Sequence, residues 1–281
     1  MIIFAQPIEQ FPKDVAITTL PTFTAGTDTA FPAKNLLSYD ITQVARVSVG
    51  STQIRWDFGR QRKFNVISLL GCSVGVRGTL LIEASNDGST YTTLRPTGPF
   101  WAHLTSVVSN LPGTISTDED TDPRKGSFER NSSFFLNEGG FNYRYIRLTV
   151  TDPDATSMTF GRLFIGRTFR PKTSYQYGSY LNFDDTGVSD RTDRGARILD
   201  PGRTIVGASV KMDFLSTQEV YDFVYDFNYW RGSAREILCC LDIFTVERLS
   251  KNLLYATITE GRRITADQFE AWSQTWILES I

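Results

Sequence analysis

The segment Leu80-Leu81-Ile82-Glu83-Ala84-Ser85-Asn86-Asp87-Gly88-Ser89-Thr90-Tyr91 decides the fold class. Leu80, Ile82 and Ala84 recur at every second residue, the period of a strand whose side chains alternate between two faces. Asn86-Asp87-Gly88 then supplies turn chemistry. The same pattern recurs on either side. Ile54, Trp56 and Phe58 alternate with Gln53, Arg55 and Asp57, and Ile146, Leu148 and Val150 alternate with Tyr145, Arg147 and Thr149. Phe160 and Phe164 flank Arg162 in the last run before Gly166. Strict alternation with one polar face indicates antiparallel sheets packed on one side and wet on the other. Short runs of this kind, separated by turn-formers, predict a β-sandwich over the first two-thirds of the chain.

The style changes after Gly166. Arg167 to Tyr175 is polar, contains Pro171 and reads as a linker. A strand is expected near Tyr175–Phe183, followed by a polar stretch from Asp184 to Arg203. Val206, Ala208, Val210, Met212 and Phe214 then alternate against Gly207, Ser209, Lys211 and Asp213, which predicts one long strand. Ser216-Thr217-Gln218-Glu219 is a capping box, in which the Ser and Glu side chains satisfy free amides at a helix start. Val220, Phe223, Val224 and Phe227 keep helical spacing, so a helix is expected over about 216–231 with Phe223 on its buried face. Further strands are expected at Glu236–Ile243, Leu253–Ile258 and Phe269–Leu278. The chain therefore divides into residues 1–170, a sandwich, and residues 171–281, a sheet with one flanking helix. No internal repeat is evident.

Composition narrows the function. The 281 residues carry 29 Lys+Arg against 31 Asp+Glu, a formal net charge of −2. Proteins that coat nucleic acid usually carry a basic excess. Hydrophobic residues make up 41% and aromatics 13%, too many for a disordered chain. The longest weakly polar run, Val66 to Val76, is far short of the ~20 residues a spanning helix needs, so no membrane insertion is expected. MIIFAQPIEQ has no basic segment before its apolar residues and meets Pro7 and Glu9 early, so no signal peptide is expected and synthesis in a cytoplasm fits. Cys72, Cys239 and Cys240 read as three buried, reduced thiols.

Few stretches suggest chemistry. Gly71-Cys72-Ser73-Val74-Gly75 matches the G-x-S-x-G nucleophile elbow, which requires a helix after the turn. Here Val76-Arg77-Gly78-Thr79 leads into another strand, so a β-turn is the expectation. With His103 the only histidine, zinc has few ligands. Asp118, Asp120, Asp122 and Glu129 follow the acidic spacing of a calcium loop, but Pro123 stands where that loop needs glycine. A solvated acidic loop is the alternative. Trp101 and His103 precede the long polar stretch Leu111–Ser133 and offer a stacking face and a hydrogen-bond partner for a sugar; a tryptophan at the edge of a sandwich core is the alternative. The stretch from Asp184 to Arg203 sets Arg191, Arg194, Arg197 and Arg203 among Asp184, Asp185, Asp190, Asp193 and Asp200. That near-balance suits a solvated hairpin or a salt-bridged protein interface more than a phosphate site. There is no phosphate loop, dinucleotide fingerprint or paired-carboxylate site, so neither an enzyme nor a cofactor is expected.

Two resemblances add to this. From Pro32 to Gly166 the chain resembles a discoidin-like, or galactose-binding-like, domain. The matching segments are Ala33-Lys34-Asn35-Leu36-Leu37, Ile54-Arg55-Trp56-Asp57-Phe58-Gly59, Leu81 to Tyr91, Tyr143-Arg144-Tyr145-Ile146-Arg147-Leu148 and Phe160-Gly161-Arg162-Leu163-Phe164-Ile165-Gly166. That resemblance implies a jelly-roll sandwich whose end loops often bind sugars or lipids. From Pro171 to Ile281 the order of elements is similar to the C-terminal part of minor tail proteins of long-tailed bacteriophages. It runs from Ser174-Tyr175-Gln176-Tyr177-Gly178-Ser179 and an arginine-rich loop to the strand Val206–Phe214, the capped helix, Arg231-Gly232 and the closing strands. In many distal-tail proteins the two parts come in the reverse order.

The second resemblance implies a tail-tube-like β-sandwich and a structural component of a tail tip in the virion. It would form or adapt a homo-oligomeric ring around the DNA channel, with tail tube, hub and fibre proteins as partners and DNA passing without specific binding. The outer domain would contact fibres or a host-surface glycan. Asp190, Arg191, Arg194, Arg197 and Arg203 would then set register between ring subunits. The alternative functions are a free-standing carbohydrate-binding, lectin-like module and, third, a hydrolase using Ser73.

Overall fold

The computed structural model describes residues 2–8, 19–75, 77–100, 133–173, 175–191, 197–200, 202, 204–231, 235–242, 252–261, 263–268 and 271–281. The chain forms two compact units. One is Ala5–Thr168 with Asp242–Leu253; the other is Met1–Phe4, Phe169–Leu241 and Leu254–Ile281. Strands are numbered in chain order from β1 (Ile3–Pro7), which begins in the second unit and ends in the first.

The N-terminal unit is an antiparallel β-sandwich, the architecture expected of it. Its main sheet has the order β9-β4-β7-β5-β6, where β4 is Ser51–Leu70, β5 Thr79–Ser85, β6 Thr92–Pro99, β7 Ser133–Thr151 and β9 Arg162–Phe169. The short β2 (Thr22–Phe23) pairs with β4. A separate pair, β3 (Ala45–Val47) with β8 (Met158–Phe160), contributes Ala45, Val47, Met158 and Phe160 to the same core as Ile54, Trp56, Ile82, Ile146 and Leu148. On β5, the first half of β4 and the last third of β7 one alternation phase is buried, so their period-two faces turn inward together; β9 is buried on both faces. The Ala33–Leu37 segment is a 3-10 turn, and the buried Arg162 reaches its Leu36 carbonyl with Nη1 at 3.3 Å. Gly166 lies within β9, where an added Cβ would sit 2.3 Å from the Gln6 carbonyl oxygen. Only glycine permits that backbone approach.

The C-terminal unit is one antiparallel sheet, in the order β10-β13-β17-β15-β14 with β16 on β17. Here β10 is Tyr180–Asp185, β13 Thr204–Ser216, β14 Glu236–Cys240, β15 Leu253–Glu260, β16 Ile264–Gln268 and β17 Ala271–Ser280. Helix α1 covers residues 217–231, with a first turn Thr217–Glu219, a π-helical turn Val220–Val224 and Tyr225–Arg231. The capping box is present: Ser216 Oγ accepts from the Glu219 amide, and the Glu219 carboxylate accepts from the Ser216 amide. Tyr225 N–H reaches back five residues to the Val220 carbonyl, which defines the π turn. The core combines Phe4, Val210, Met212, Val224, Phe227, Ile237 and Trp276. Trp276 packs edge-on to Phe4 at 4.7 Å and nearly parallel to Phe227 at 4.8 Å. Its indole N–H donates to Asn228 Oδ1 at 3.0 Å.

Four local expectations need correcting. The segment before β10 is a turn with Gly178 at φ 97°, so pairing begins at Tyr180 instead of Tyr175. The alternation in β13 breaks at a bulge between Met212 and Leu215. Phe214 takes φ 60° and is 63% exposed, while Leu215 fills the core at 1%. Phe223 is half-buried, stacked on Phe169 at 3.9 Å, instead of fully enclosed. The closing strands are two, β16 and β17, joined as a hairpin. All three cysteines are free and buried, and burial pushes the Cys72 and Cys239 thiols well above their usual range. No helix of the described residues is long and apolar enough to cross a membrane.

Candidate functional site

Several residues singled out from sequence lie outside the described residues: Trp101, His103, Asp118, Asp120, Asp122, Glu129, Arg194 and Arg203. Asp190, Arg191 and Arg197 lie on a hairpin made by β11 (Val188–Arg191) and β12 (Arg197–Asp200). The antiparallel register sets Asp190 across from Ile198 and Arg191 across from Arg197. Among the described residues, no group of three or more His, Cys, Asp or Glu is placed to hold a metal ion.

Ser73 lies in the irregular segment between β4 and β5, and the next element is the strand β5 instead of the helix a nucleophile elbow needs. Its amide donates to the Thr159 carbonyl at 3.0 Å, and its hydroxyl accepts from the Thr159 amide at 2.9 Å. Ser73 thus extends the ladder onto β8. Its partners explain the residue as architecture.

Two other surfaces carry ordered polar and aromatic groups, and neither was read from sequence. On the outer face of β4, β7 and β5, Arg144 donates from Nε and Nη2 to the two Asp57 carboxylate oxygens at 2.8 and 2.9 Å. Its guanidinium lies 4.7 Å from the Tyr145 ring. Arg147 Nε donates to Glu83 at 2.7 Å while its guanidinium sits 3.8 Å over the Tyr91 ring. The hydrogen bond from Arg144 leads the causes that hold the Asp57 carboxyl below the usual carboxylate range. In the adjoining turn, the Ser85 hydroxyl and the amides of Thr90 and Ser89 hold Asp87 well below it too. The strands create these pairings, because residues such as Asp57 and Arg144 are remote along the chain.

The second surface belongs to the C-terminal unit. Among the described residues, β10 pairs on one side only, with β13. It exposes Tyr180, Leu181 and Phe183. An edge strand with apolar residues left wet is a template for pairing unless something covers it. On α1, Tyr221, Tyr225 and Tyr229 are also exposed, although their i, i+4, i+8 spacing is visible in the sequence.

No protein-family model matches the chain, and no curated protein matches it. Solved structures do. A Ruminococcus gnavus GH29 fucosidase in complex with fucose is 17% identical, with a TM-score of 0.37, over 53% of this chain and 25% of that one. The module CpGH89CBM32-6, produced by Clostridium perfringens, is 11% identical, with a TM-score of 0.35, over 53% of this chain and 94% of that one. The family 32 CBM from C. perfringens NanJ in complex with galactose is 12% identical, with a TM-score of 0.37, over 52% of this chain and 92% of that one. The chain thus spans only a quarter of the length of the fucosidase.

Proposed function

We propose that this chain is a structural assembly protein, a component of a bacteriophage tail tip. Its C-terminal unit joins neighbouring subunits into a ring around the DNA channel, and its sandwich faces outward toward fibres or host-surface glycans. The observation that carries this reading is β10. A one-sided strand exposing Tyr180, Leu181 and Phe183, followed by the β11–β12 hairpin, is the arrangement a subunit needs if its edges are covered by neighbours. Closed rings hide such edges in every copy at once. Mixed charges on the hairpin then select register more than they add affinity.

Negative-stain electron microscopy of the purified chain with its native mass tests the reading. Annular particles with a central pore, lost on deletion of residues 186–203, support it. Normal tails assembled from the deleted chain would rule it out.

A lectin-like module is the second reading, favoured by the outer sheet face where Arg147, Glu83 and Tyr91 combine a half-exposed ring with charged hydrogen-bonding groups. A glycan array probed with the full chain decides. Sugar binding lost in Tyr91→Ala, without ring formation, favours the module.

A further inference from the structure

Two strands of the C-terminal sheet have a bare margin. Among the described residues β10 is hydrogen-bonded to β13 alone and β16 to β17 alone. Cross-strand neighbours share a face, so the registers assign the faces. Leu181 lies opposite Ala208, a core residue, and Phe183 lies opposite Val206, which packs against that core. Ile264 lies opposite Gln274 and Ala266 opposite Trp272, and Ile264 and Trp272 pack against the same core. Leu181, Phe183, Ile264 and Ala266 therefore carry the packed face of the sheet out to its margins. Leu181 is 42% exposed and Phe183 60%, and Ala266 is exposed too. Apolar residues left wet on the packed side of an edge strand call for cover.

Natural edges are guarded by proline, bulges or charge. The register of β10 with β13 is unbroken, β10 holds no proline, and its guards are Asp184 and Asp185. By contrast β6, an edge strand of the N-terminal sandwich, carries Pro96 and Pro99. A charged guard yields to the opposite charge, and the exposed Arg263 immediately precedes β16.

Faces and charge select one alignment. Setting β16 antiparallel to β10, with Phe183 against Ile264 and Leu181 against Ala266, keeps both packed faces on one side. That register also sets Asp184 opposite Arg263, Asn182 opposite Thr265 and Tyr180 opposite Asp267. A parallel alignment of the same four apolar residues sets Asp184 beside Asp267, two like charges. Asn182 Nδ2 donates to Asp184 Oδ2 at 2.7 Å, which holds the carboxylate on the face that Arg263 reaches.

We propose that β10 of one copy of this chain pairs antiparallel with β16 of the next, in the register that sets Asp184 opposite Arg263. Each copy offers one margin of either kind, so pairing runs head to tail, the arrangement that closes into a ring. This rests on the assembly reading above and names the strands and register through which neighbours join.

Disulfide trapping in the full chain tests the register. With Asn182→Cys and Thr265→Cys in one chain, mild oxidation should give a ladder of covalent multimers on a non-reducing gel, since directly opposed strand residues lie within disulfide reach. The three native thiols are buried and stay out of reach. Asn182→Cys with Ala266→Cys puts the new thiols on opposite faces and should give no ladder. Sedimentation velocity up to about 100 µM tests the charge pair. Asp184→Arg and Arg263→Glu should each weaken self-association at least about tenfold, with an unchanged melting temperature. Both changes in one chain should restore it. No rescue in the combined chain overturns the proposal. So do covalent dimers from Asn182→Cys alone, which would show β10 pairing with itself. Annular particles that form without a bridge between positions 182 and 265 leave the assembly reading standing and sink only this pairing. A native chain that stays monomeric throughout, with no bridge, overturns the pairing and ring formation by the chain alone.

Discussion

Arg144 and Asp57 face each other from the neighbouring strands β7 and β4 in a two-pronged ion pair, Nε to Oδ1 at 2.8 Å and Nη2 to Oδ2 at 2.9 Å. Two parallel bonds fix orientation as well as charge. The pair joins the outer face of the sandwich at the point where Asp57 also caps the Gly59 amide at 2.8 Å.

This pair predicts a pH dependence. Arg144, foremost, depresses the Asp57 pKa in the folded protein, so the folded state binds that proton less readily than the unfolded chain does. The resulting stabilisation is present above the ordinary aspartate value of about 3.9. It is lost as pH falls through the lower folded value. Melting temperatures of the native chain and Asp57→Asn should differ above about pH 5 and converge toward about pH 2. Parallel curves over that range would show that the pair contributes nothing to folding.

The helix core predicts an order of costs. Phe227 is buried against Trp276, so Phe227→Ala should cost about 3–5 kcal/mol. Phe223 is half-buried on Phe169 and should cost about 1.5–3 kcal/mol when truncated. Urea denaturation measures both. A larger loss at Phe223 than at Phe227 would contradict the packing.

Phe214 holds φ 60° with its ring in solvent. A β-carbon in that region is strained by about 1 kcal/mol, a cost that glycine escapes. Phe214→Gly should therefore be neutral or stabilising by up to about 1 kcal/mol, unlike glycine at a strand position of ordinary negative φ. A loss above about 1 kcal/mol would show that the ring has a partner.

Ser73→Ala should remove the acceptor for the Thr159 amide and lower stability by about 1 kcal/mol. Its effect on any ester hydrolysis by the purified chain should be nil. Loss of turnover with unchanged stability would return Ser73 to the role of a nucleophile.

Alternation and capping are short-range properties, and they were legible. Ile54, Trp56 and Phe58, Leu80, Ile82 and Ala84, and Ile146, Leu148 and Val150 are all buried because a strand's faces follow from residue parity alone. The start of α1 was legible because Ser216 and Glu219 satisfy amides within one turn. The polar stretch that reads as a hairpin contains β11 and β12.

Other features depend on partners far along the chain. The bulge that turns Phe214 out and Leu215 in is a mismatch between β13 and β17, which no single strand encodes. The pairing of Arg144 with Asp57 requires two strands in register, although both residues stand in plain view. Ile2 and Phe4 join the core of the C-terminal unit, a placement that residue parity does not specify. The tyrosine spacing on α1 was visible, yet only the folded helix decides which flank faces water. Residue order alone fixed the faces of the regular strand segments and the helix cap, since both are set within a few residues. Register, bulges and exposed flanks were decided by the tertiary structure, because they are energies of contact between segments brought together only on folding.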